Sequence, residues 1–322
     1  MNKTVASLSI DLDDKWTYMK THGDPAWSAY PSYHEIAVPR ILEFLQKRNL
    51  KITFFLVGQD AALEQNHDIF GDISRAGHEI ANHSFSHEPW LHLYSEDEID
   101  ADLSQAEEHI ERSTGVRPIG FRGPGFSCSE NVLRVLARKG YQYDGSTLPN
   151  FLNPVARAYF LMTTKMSKEE REQRKGLFGT FRDGLRPNKP YFWQLDTGDL
   201  LEIPVTTMPL FKIPIHASYI LYLDMYSPAL AQAYFRFAMM LCRITGTEPS
   251  ILLHPLDFLG CEDVQELSFF PAMRVPREKK LAAVGRIFHQ MTSSFTVMTM
   301  QEHADLAQRG LNSKQVEPLF HT

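Results

Sequence analysis

The chain has the length and composition of a single large folded domain. Its 322 residues are 43% hydrophobic and 11% aromatic, which is enough to bury a sizeable core. A formal net charge of −6 gives no reason to expect nucleic acid as a partner. The cysteines Cys128, Cys242 and Cys261 are odd in number and far apart, so we expect a reducing compartment and not a disulfide framework.

The start of the sequence predicts no export signal. The apolar stretch between Asn2 and the first acidic cluster is too short for the core of a signal peptide or for a membrane span. We therefore expect a cytoplasmic protein without a transmembrane segment. Homo-oligomerisation stays open at this point.

Hydrophobic periodicity predicts strands and helices that alternate along the chain, as a βα barrel requires. The predicted strands cover residues 5–10, 51–57 and 201–205, and the predicted helices cover residues 39–47, 95–112 and 131–139. Ser95 and Glu98 have the spacing of a capping box at the start of the second helix. The pattern indicates an α/β protein.

Three acidic residues, Asp11, Asp13 and Asp14, follow the first predicted strand. Carboxylates this close together raise one another's pKa unless a cation or an arginine compensates them. In sheets that are crossed over by helices, reactive groups collect at the carboxyl ends of the strands. The cluster therefore predicts a functional site, with an acidic turn that caps a helix as the plainer alternative.

His83 and His87 have a spacing of four residues. On a helical turn this spacing places two imidazoles on one side, about 6 Å apart at Cβ, close enough to share one metal ion. By itself such a pair is more often two surface or capping residues. The identity of a third ligand therefore decides whether the pair is a metal site.

Five segments, in this order, resemble the polysaccharide deacetylases, the NodB-homology group of metal-dependent enzymes known as carbohydrate esterase family 4. They are SIDLDD at 9–14, ITFFLVG at 52–58, GHEIANHSFSH at 77–87, TGVRPIGFRGP at 114–124 and LLHP at 252–255. The resemblance implies a distorted (β/α)7-type barrel. We expect residues 1–322 to form a single catalytic domain, with an inserted segment at about 149–193 after the fourth strand region.

The resemblance implies that Asp11 is the general base and that a later acid binds the metal. We favour Asp13 as that ligand, because residues 11 and 13 point to the same face of a regular strand, and keep Asp14 as its rival. With His83 and His87, Asp13 forms a two-histidine, one-carboxylate set for one divalent ion. Zn²⁺ is the first choice, with Co²⁺, Ni²⁺ or Mn²⁺ as alternatives.

Arg122 matches the family arginine that pairs with the catalytic aspartate, and we expect a bidentate contact with Asp11. The residue three positions later usually offers its backbone N–H to the oxyanion, which points to Gly125. Most members of the family carry tyrosine there. Phe126 is then the candidate to supply the missing aromatic wall of the pocket.

His254 corresponds to the family's general acid, with Leu253 or Leu252 lining an acetyl-sized pocket. Members of the family often tune this histidine with an aspartate in an Asp-Trp pair. The matching positions here are Thr147 and Leu148, so the sequence does not identify the partner of His254.

Three further features have two interpretations each. His216 is a candidate substrate contact or a loop residue. The aromatic segment 15–32 predicts a substrate wall or a loop that closes the barrel. Within the insertion, the apolar stretch 154–162 and the charged stretch 165–174 predict a lid, a dimer face or a membrane-surface contact, with packing onto the barrel as the plainer choice.

The implied activity is metal-dependent removal of an acetyl group from an N-acetylated sugar or sugar-containing precursor, whether free, nucleotide-linked or lipid-linked. One alternative is hydrolysis of a linear or cyclic amide that is not a sugar. Another is a non-catalytic sugar-binding protein on the same fold. The complete set of predicted base, ligands and acid argues against the second alternative.

Overall fold

The computed structural model describes residues 4–152, 181–270, 272–310, 315–318 and 320. Within these ranges the strands form one sheet of ten. In chain order they are β1 Val5–Leu12, β2 Thr53–Leu56, β3 Glu79–Asn82, β4 Gly120–Phe121, β5 Tyr143–Asp144, β6 Tyr191–Trp193, β7 Leu200–Glu202, β8 Ser250–Leu253, β9 Thr296–Met298 and β10 Gln315–Val316.

The strand order is β10-β6-β7-β5-β4-β3-β2-β1-β8, and β9 also pairs with β1. The run from β7 to β8 is parallel at every step, whereas β6 is antiparallel to β7. Helices and loops connect these seven parallel strands, which is the architecture of a distorted (β/α)7-type barrel. The predicted fold is confirmed.

Helices follow most of the strands. In the part of the chain that the structure describes, the α-helices are α1 Lys15–His22, α2 His34–Gln46, α3 Gly58–Ala61, α4 His67–Arg75, α5 Glu96–Thr114, α6 Glu130–Lys139, α7 Ala217–Tyr226, α8 Pro228–Thr245, α9 Arg277–Ser294 and α10 Met300–Gly310. Helix α5 begins at the predicted capping box of Ser95 and Glu98. Among the described helices, none combines the length and apolar character needed to cross a membrane.

The two faces of β1 have different environments. Leu8 and Ile10 are fully buried in the largest apolar cluster, which also contains residues of α2, α8 and α9. Because side chains alternate along a strand, Ser9 and Asp11 point to the opposite face. The carboxyl ends of the parallel strands share one edge of the sheet, and the polar face of β1 therefore meets the loops that follow its neighbours.

The predicted insertion at about 149–193 follows β5 and not the fourth strand. Strands β4 and β5 are only two residues long, too short to give a periodic signal, so the sequence did not resolve them separately. The far end of the segment is β6, which belongs to the sheet. The stretches 154–162 and 165–174 lie outside the described residues, and their role stays a prediction.

Candidate active site

Four predicted site residues lie at the carboxyl ends of neighbouring parallel strands. Asp11 is near the end of β1, His83 and Arg122 directly follow β3 and β4, and His254 directly follows β8. Strands β8 and β1 are adjacent, as are β3 and β4. Residues that are far apart in the sequence therefore converge at one edge of the sheet.

One carboxylate oxygen of Asp13 lies between the imidazoles of His83 and His87. Asp13 Oδ1 is 3.0 Å from His87 Nε2 and 3.4 Å from His83 Nε2. All three side chains are buried, and their ligand atoms lie within 4.8 Å of one another. The structure thus brings together one carboxylate and two imidazoles in a geometry that one divalent ion can bridge.

The two histidines lie in a loop, so the predicted helical turn is wrong. The backbone between His83 and His87 is not helical, and Ser84 and His87 have φ of 63° and 48°. Such left-handed conformations are strained and need support from neighbouring groups. The His87 N–H donates to Ser84 Oγ at 3.0 Å, and the Phe85 N–H donates to Asp102 at 2.8 Å. This tight loop brings the two ring centroids to 5.1 Å.

Asp13 and Asp14 diverge because β1 ends just before them. Asp14 caps helix α1, and its Oδ1 accepts the backbone N–H groups of Lys15 at 2.7 Å and Tyr33 at 3.1 Å. Its other oxygen lies 3.8 Å from Nε2 of His34. Of the two rivals, Asp13 is therefore the one beside the predicted histidine ligands.

The cluster favours an ionised carboxylate. Burial alone would raise the pKa of Asp13, but His87 and His83 lower that pKa well below its usual value. Burial disfavours charge on His83, yet Asp11 and Asp13 raise the pKa of His83 overall. His83 Nδ1 meets the backbone carbonyl of Arg122 at 2.6 Å, which orients Nε2 toward Asp13. These residues fit a divalent ion, whose binding would displace the proton from His83.

Arg122 holds Asp11 through one of its two carboxylate oxygens. Arg122 is fully buried, and its Nη1 donates to Asp11 Oδ1 at 2.6 Å. The predicted bidentate contact is wrong, because Nη1 also donates to Ser9 Oγ and Nε donates to the carbonyl of Gly145, each at 2.9 Å. The second oxygen of Asp11 is 4.0 Å from Nε2 of His83. Asp11 therefore has one oxygen held by arginine and one directed to the metal cluster.

His254 reaches a carboxylate through a serine. Its Nδ1 is 3.2 Å from Ser218 Oγ, and that hydroxyl donates to Asp257 Oδ1 at 2.8 Å. The other oxygen of Asp257 accepts the backbone N–H of His254 at 2.9 Å. Burial raises the pKa of Asp257, although His254 and Lys280 work against this. With Nδ1 engaged by Ser218, Nε2 is the nitrogen left for proton transfer.

Neither Ser218 nor Asp257 was predicted from the sequence. Asp257 had a signal, because it lies three residues after His254 and the segment 254–257 has the spacing of a capping box, which the structure forms. Ser218 had none. It is on α7, whose place beside the turn after β8 depends on the fold and not on any local pattern.

The predicted pocket residue Leu253 lies in the core. It pairs with Ile10, and both belong to the largest apolar cluster. Leu252 pairs instead with Ser9, whose hydroxyl contacts Arg122. Because paired residues of a parallel sheet point to the same face, Leu252 is on the side of the site. The choice of Leu253 was wrong, and Leu252 replaces it as the candidate.

His216 lies near His254 and immediately before α7. Burial, and then the charge of His254, lower the pKa of His216 to about 3. A histidine with so low a pKa is neutral at ordinary pH, and it is therefore a poor candidate for the general acid. Its predicted contact with substrate stays a prediction.

The loop after β4 carries Gly125 and Phe126, both with left-handed backbone at φ of 59° and 62°. Gly125 is exposed, and a Cβ built there would be 3.4 Å from Cβ of Pro89. Glycine adopts this backbone without strain, whereas tyrosine would not, so the departure from the family suits this loop. The roles of the Gly125 N–H and the Phe126 ring stay predictions.

Helix α1 packs part of the aromatic segment 15–32 against the cluster of Asp13, His83 and His87. Trp16 is buried, its ring meets His87 edge-on with centroids 6.1 Å apart, and its Nε1 donates to Asp60 at 2.8 Å. Burial, together with Asp13, raises the pKa of Tyr18 well above its usual value, so this phenol stays neutral. Trp16 packs against His87. For this residue, the contact favours a packing role over a substrate wall.

Part of the chain is similar in sequence to known proteins. Residues 24–143 match the polysaccharide deacetylase family model. A peptidoglycan deacetylase of Helicobacter pylori is 31% identical over 120 residues, which are 37% of this chain and 40% of that protein. A peptidoglycan-N-acetylglucosamine deacetylase of Bacillus cereus is 38% identical over 96 residues, which are 30% of this chain and 34% of that protein. The match therefore covers less than half of either relative.

A solved structure extends the likeness to the whole chain. The crystal structure of a Mycobacterium smegmatis protein, assigned to the polysaccharide deacetylases, covers 100% of this chain and 95% of its own at a TM-score of 0.64. The two sequences are 21% identical, so this likeness shows the fold. Residues 24–143 are thus similar to the polysaccharide deacetylase family, and the chain as a whole shares the fold of the Mycobacterium smegmatis structure.

Proposed function

We propose that the chain is a metal-dependent hydrolase that removes an acetyl group from an N-acetylated sugar or sugar-containing precursor. The observation that carries this proposal is the arrangement of Asp11. One of its oxygens is held by the buried Arg122, and the other is directed to the cluster of Asp13, His83 and His87. A base next to a set of metal ligands is what hydrolysis of an unreactive amide requires.

Asp13, His83 and His87 would hold the ion, with Zn²⁺ as our first choice. A divalent ion in that position supplies polarisation of the amide carbonyl and a lowered pKa of bound water. Arg122 donates a hydrogen bond to Asp11 and fixes its orientation. Asp11 then accepts the proton of the attacking water on the oxygen that faces the cluster.

The departing nitrogen needs a proton, because an amide anion is too basic to leave. His254 donates this proton in our proposal. It follows β8 directly, and β8 is the neighbour of the strand that carries Asp11. Ser218 and Asp257 hold its Nδ1, which directs the other ring nitrogen to the transfer. The Gly125 N–H is the proposed donor to the tetrahedral oxyanion.

The sugar substrate rests on the relatives. Two of them are named for the deacetylation of peptidoglycan and one, from Cryptococcus neoformans, for that of chitin. Each shares only part of its length with this chain, so the activity comes to this chain as a proposal. An acetamide on a sugar is the bond common to those names.

Acetate release tests the proposal. Protein reconstituted with Zn²⁺ is assayed for acetate release from chitin oligomers, peptidoglycan fragments, N-acetylated sugar nucleotides and simple linear acetamides. Ring opening of cyclic amides is followed by mass spectrometry. We expect release from at least one N-acetyl sugar, and we expect His83→Ala to abolish it even with added Zn²⁺. Turnover of the simple amides alone would favour the non-sugar hydrolase. Sugar binding without any turnover would favour the non-catalytic protein.

A further inference from the structure

A second buried cluster lies beside the proposed metal centre. Asp14, His34 and Asp60 have ligand atoms within 4.8 Å of one another, and their side chains are 2%, 0% and 1% exposed. His34 Nε2 is 3.8 Å from Asp14 Oδ2 and 3.5 Å from Asp60 Oδ2. The proposed hydrolysis uses none of these three side chains.

The imidazole of His34 and one oxygen of Asp60 lack hydrogen bonds in this cluster. Within the described part of the chain, no group hydrogen-bonds to either ring nitrogen of His34 or to Asp60 Oδ2. The outward oxygens are satisfied, since Asp60 Oδ1 accepts from Trp16 and Asp14 Oδ1 accepts two backbone N–H groups. A buried polar group without a partner is destabilising, so these atoms of His34 and Asp60 require one.

An ion pair alone does not explain the distances. A protonated His34 would donate to a carboxylate at about 2.8 Å, whereas the observed ion-pair distances of 3.5 and 3.8 Å are longer than an ordinary charge-assisted hydrogen bond. Two ligands of one tetrahedral Zn²⁺, with bonds near 2.0–2.1 Å, are about 3.3–3.4 Å apart. The distances from His34 Nε2 to the two carboxylates are close to that separation. In addition, two carboxylates and one imidazole carry net negative charge in a buried place, which a cation neutralises.

We propose that Asp14, His34 and Asp60 form a second, structural site for a divalent ion, Zn²⁺ or Mn²⁺. Carboxylate oxygens combined with one imidazole suit both ions. The site is closed to solvent, so its ion holds the backbone in place and takes no part in chemistry. Asp14 directly follows Asp13, and the hydroxyl of Tyr33 donates to the carbonyl of Asp13. The second ion thereby fixes the turn that presents Asp13 to the first site.

Counting ions per chain tests this proposal independently of activity. Stripped protein is reconstituted separately with Zn²⁺ and with Mn²⁺, desalted and measured by native mass spectrometry and elemental analysis. We expect two ions in the wild type, one when the first site is removed by His83→Ala with His87→Ala, and one in Asp60→Asn. All three changes together should leave none. Asp60→Asn keeps the size of the side chain and the oxygen that accepts from Trp16, so it removes mainly the charged ligand.

His303→Gln is the matched control. His303 is equally buried and contacts Ser7 and Glu248, outside both clusters, so this variant should retain two ions. One ion in the wild type and none in the first-site variant would overturn the proposal, as would two ions in a folded Asp60→Asn. Circular dichroism checks folding. If Asp60→Asn does not fold, the first-site variant decides: one retained ion supports the second site and none refutes it.

Discussion

The proposed active site has two sides that are built differently. On the metal side, Asp13 contacts His83 and His87 directly, and Asp11 is held by the fully buried Arg122. On the acid side, His254 reaches its carboxylate only through a serine hydroxyl. The metal side contains the residues that the resemblance implied, whereas the acid side lacks the tuning aspartate that it implied.

The difference reflects what each side must do. Ligands of one ion have to stand within a few ångströms of a common point, so their types and positions are narrowly constrained. A general acid needs only a held ring and a proton on the correct nitrogen, and several elements of a fold can supply that. In this chain α7 and the turn after β8 supply it through Ser218 and Asp257.

Asp11→Asn should have the largest effect. Removal of a general base usually costs about two to four orders of magnitude in turnover, and we expect a loss in that range with metal content retained. Steady-state acetate release and elemental analysis measure the two quantities. Loss of metal along with activity would instead make Asp11 a ligand.

Asp224→Asn is the matched control for this change. Asp224 also pairs with an arginine, Arg286, at 2.6 Å, but on the outer part of α7. We expect it to leave turnover within about threefold, because a partly exposed ion pair contributes little. If both aspartate variants lost the same activity, the effect of Asp11→Asn would reflect stability and not catalysis.

His254→Ala tests the acid side by the choice of substrate. An alkoxide leaves with less help than an amide nitrogen, so the variant should lose about 100-fold on an N-acetyl substrate and clearly less on an O-acetyl ester. Asp11→Asn should lose a similar factor on both. Equal losses for His254→Ala on amide and ester would assign it a role in shaping the pocket.

Ser218→Ala and Asp257→Asn should each lower kcat by about 10-fold with little change in KM, because they leave His254 present but less well oriented. In a His254→Ala background neither change should cost anything further, since the group they position is gone. Ser227→Ala is the control, because Ser227 caps α8 without contacting His254. Additive losses in the double variants would show that Ser218 and Asp257 act on something else.

Much of the metal side could be predicted from the sequence. An acid cluster after an apolar strand and a spaced histidine pair are local patterns, and the arrangement of Asp13, His83 and His87 matches the predicted ligand set. The backbone that achieves it was not predictable. The prediction that His83 and His87 are close together was correct, but the predicted helical turn was not. Hydrogen bonds to Ser84 and Asp102 instead hold the segment in a loop that contains left-handed residues.

The acid side could not be predicted from the sequence, for physical reasons. Ser218 and His254 are 36 residues apart and meet only because α7 packs beside β8. The error over Leu253 had a different origin. In a strand that is buried on both faces, an apolar run has no alternation, so the sequence could not say which of Leu252 and Leu253 faces the site. The pairing of β8 with β1 shows that Leu252 is the one on the side of the site.

His216→Asn should have the smallest effect on turnover. It tests whether His216 or His254 carries a proton on the acid side. In the folded chain the pKa of His216 is lowered to about 3, whereas in the unfolded chain it is about 6.5. As pH falls from 6.5 toward 3, the unfolded chain therefore binds the extra proton, and the stability that His216 contributes above pH 6.5 is progressively lost. His216→Asn removes this pH-dependent contribution to the free energy of unfolding. From pH 7.5 to 5, its free energy of unfolding, measured by urea denaturation, should fall by roughly 2 kcal/mol less than that of the wild type. Its kcat should change less than threefold. An equal fall in both proteins, or a large loss of kcat in the variant, would make His216 a protonated residue and a rival to His254 as the acid.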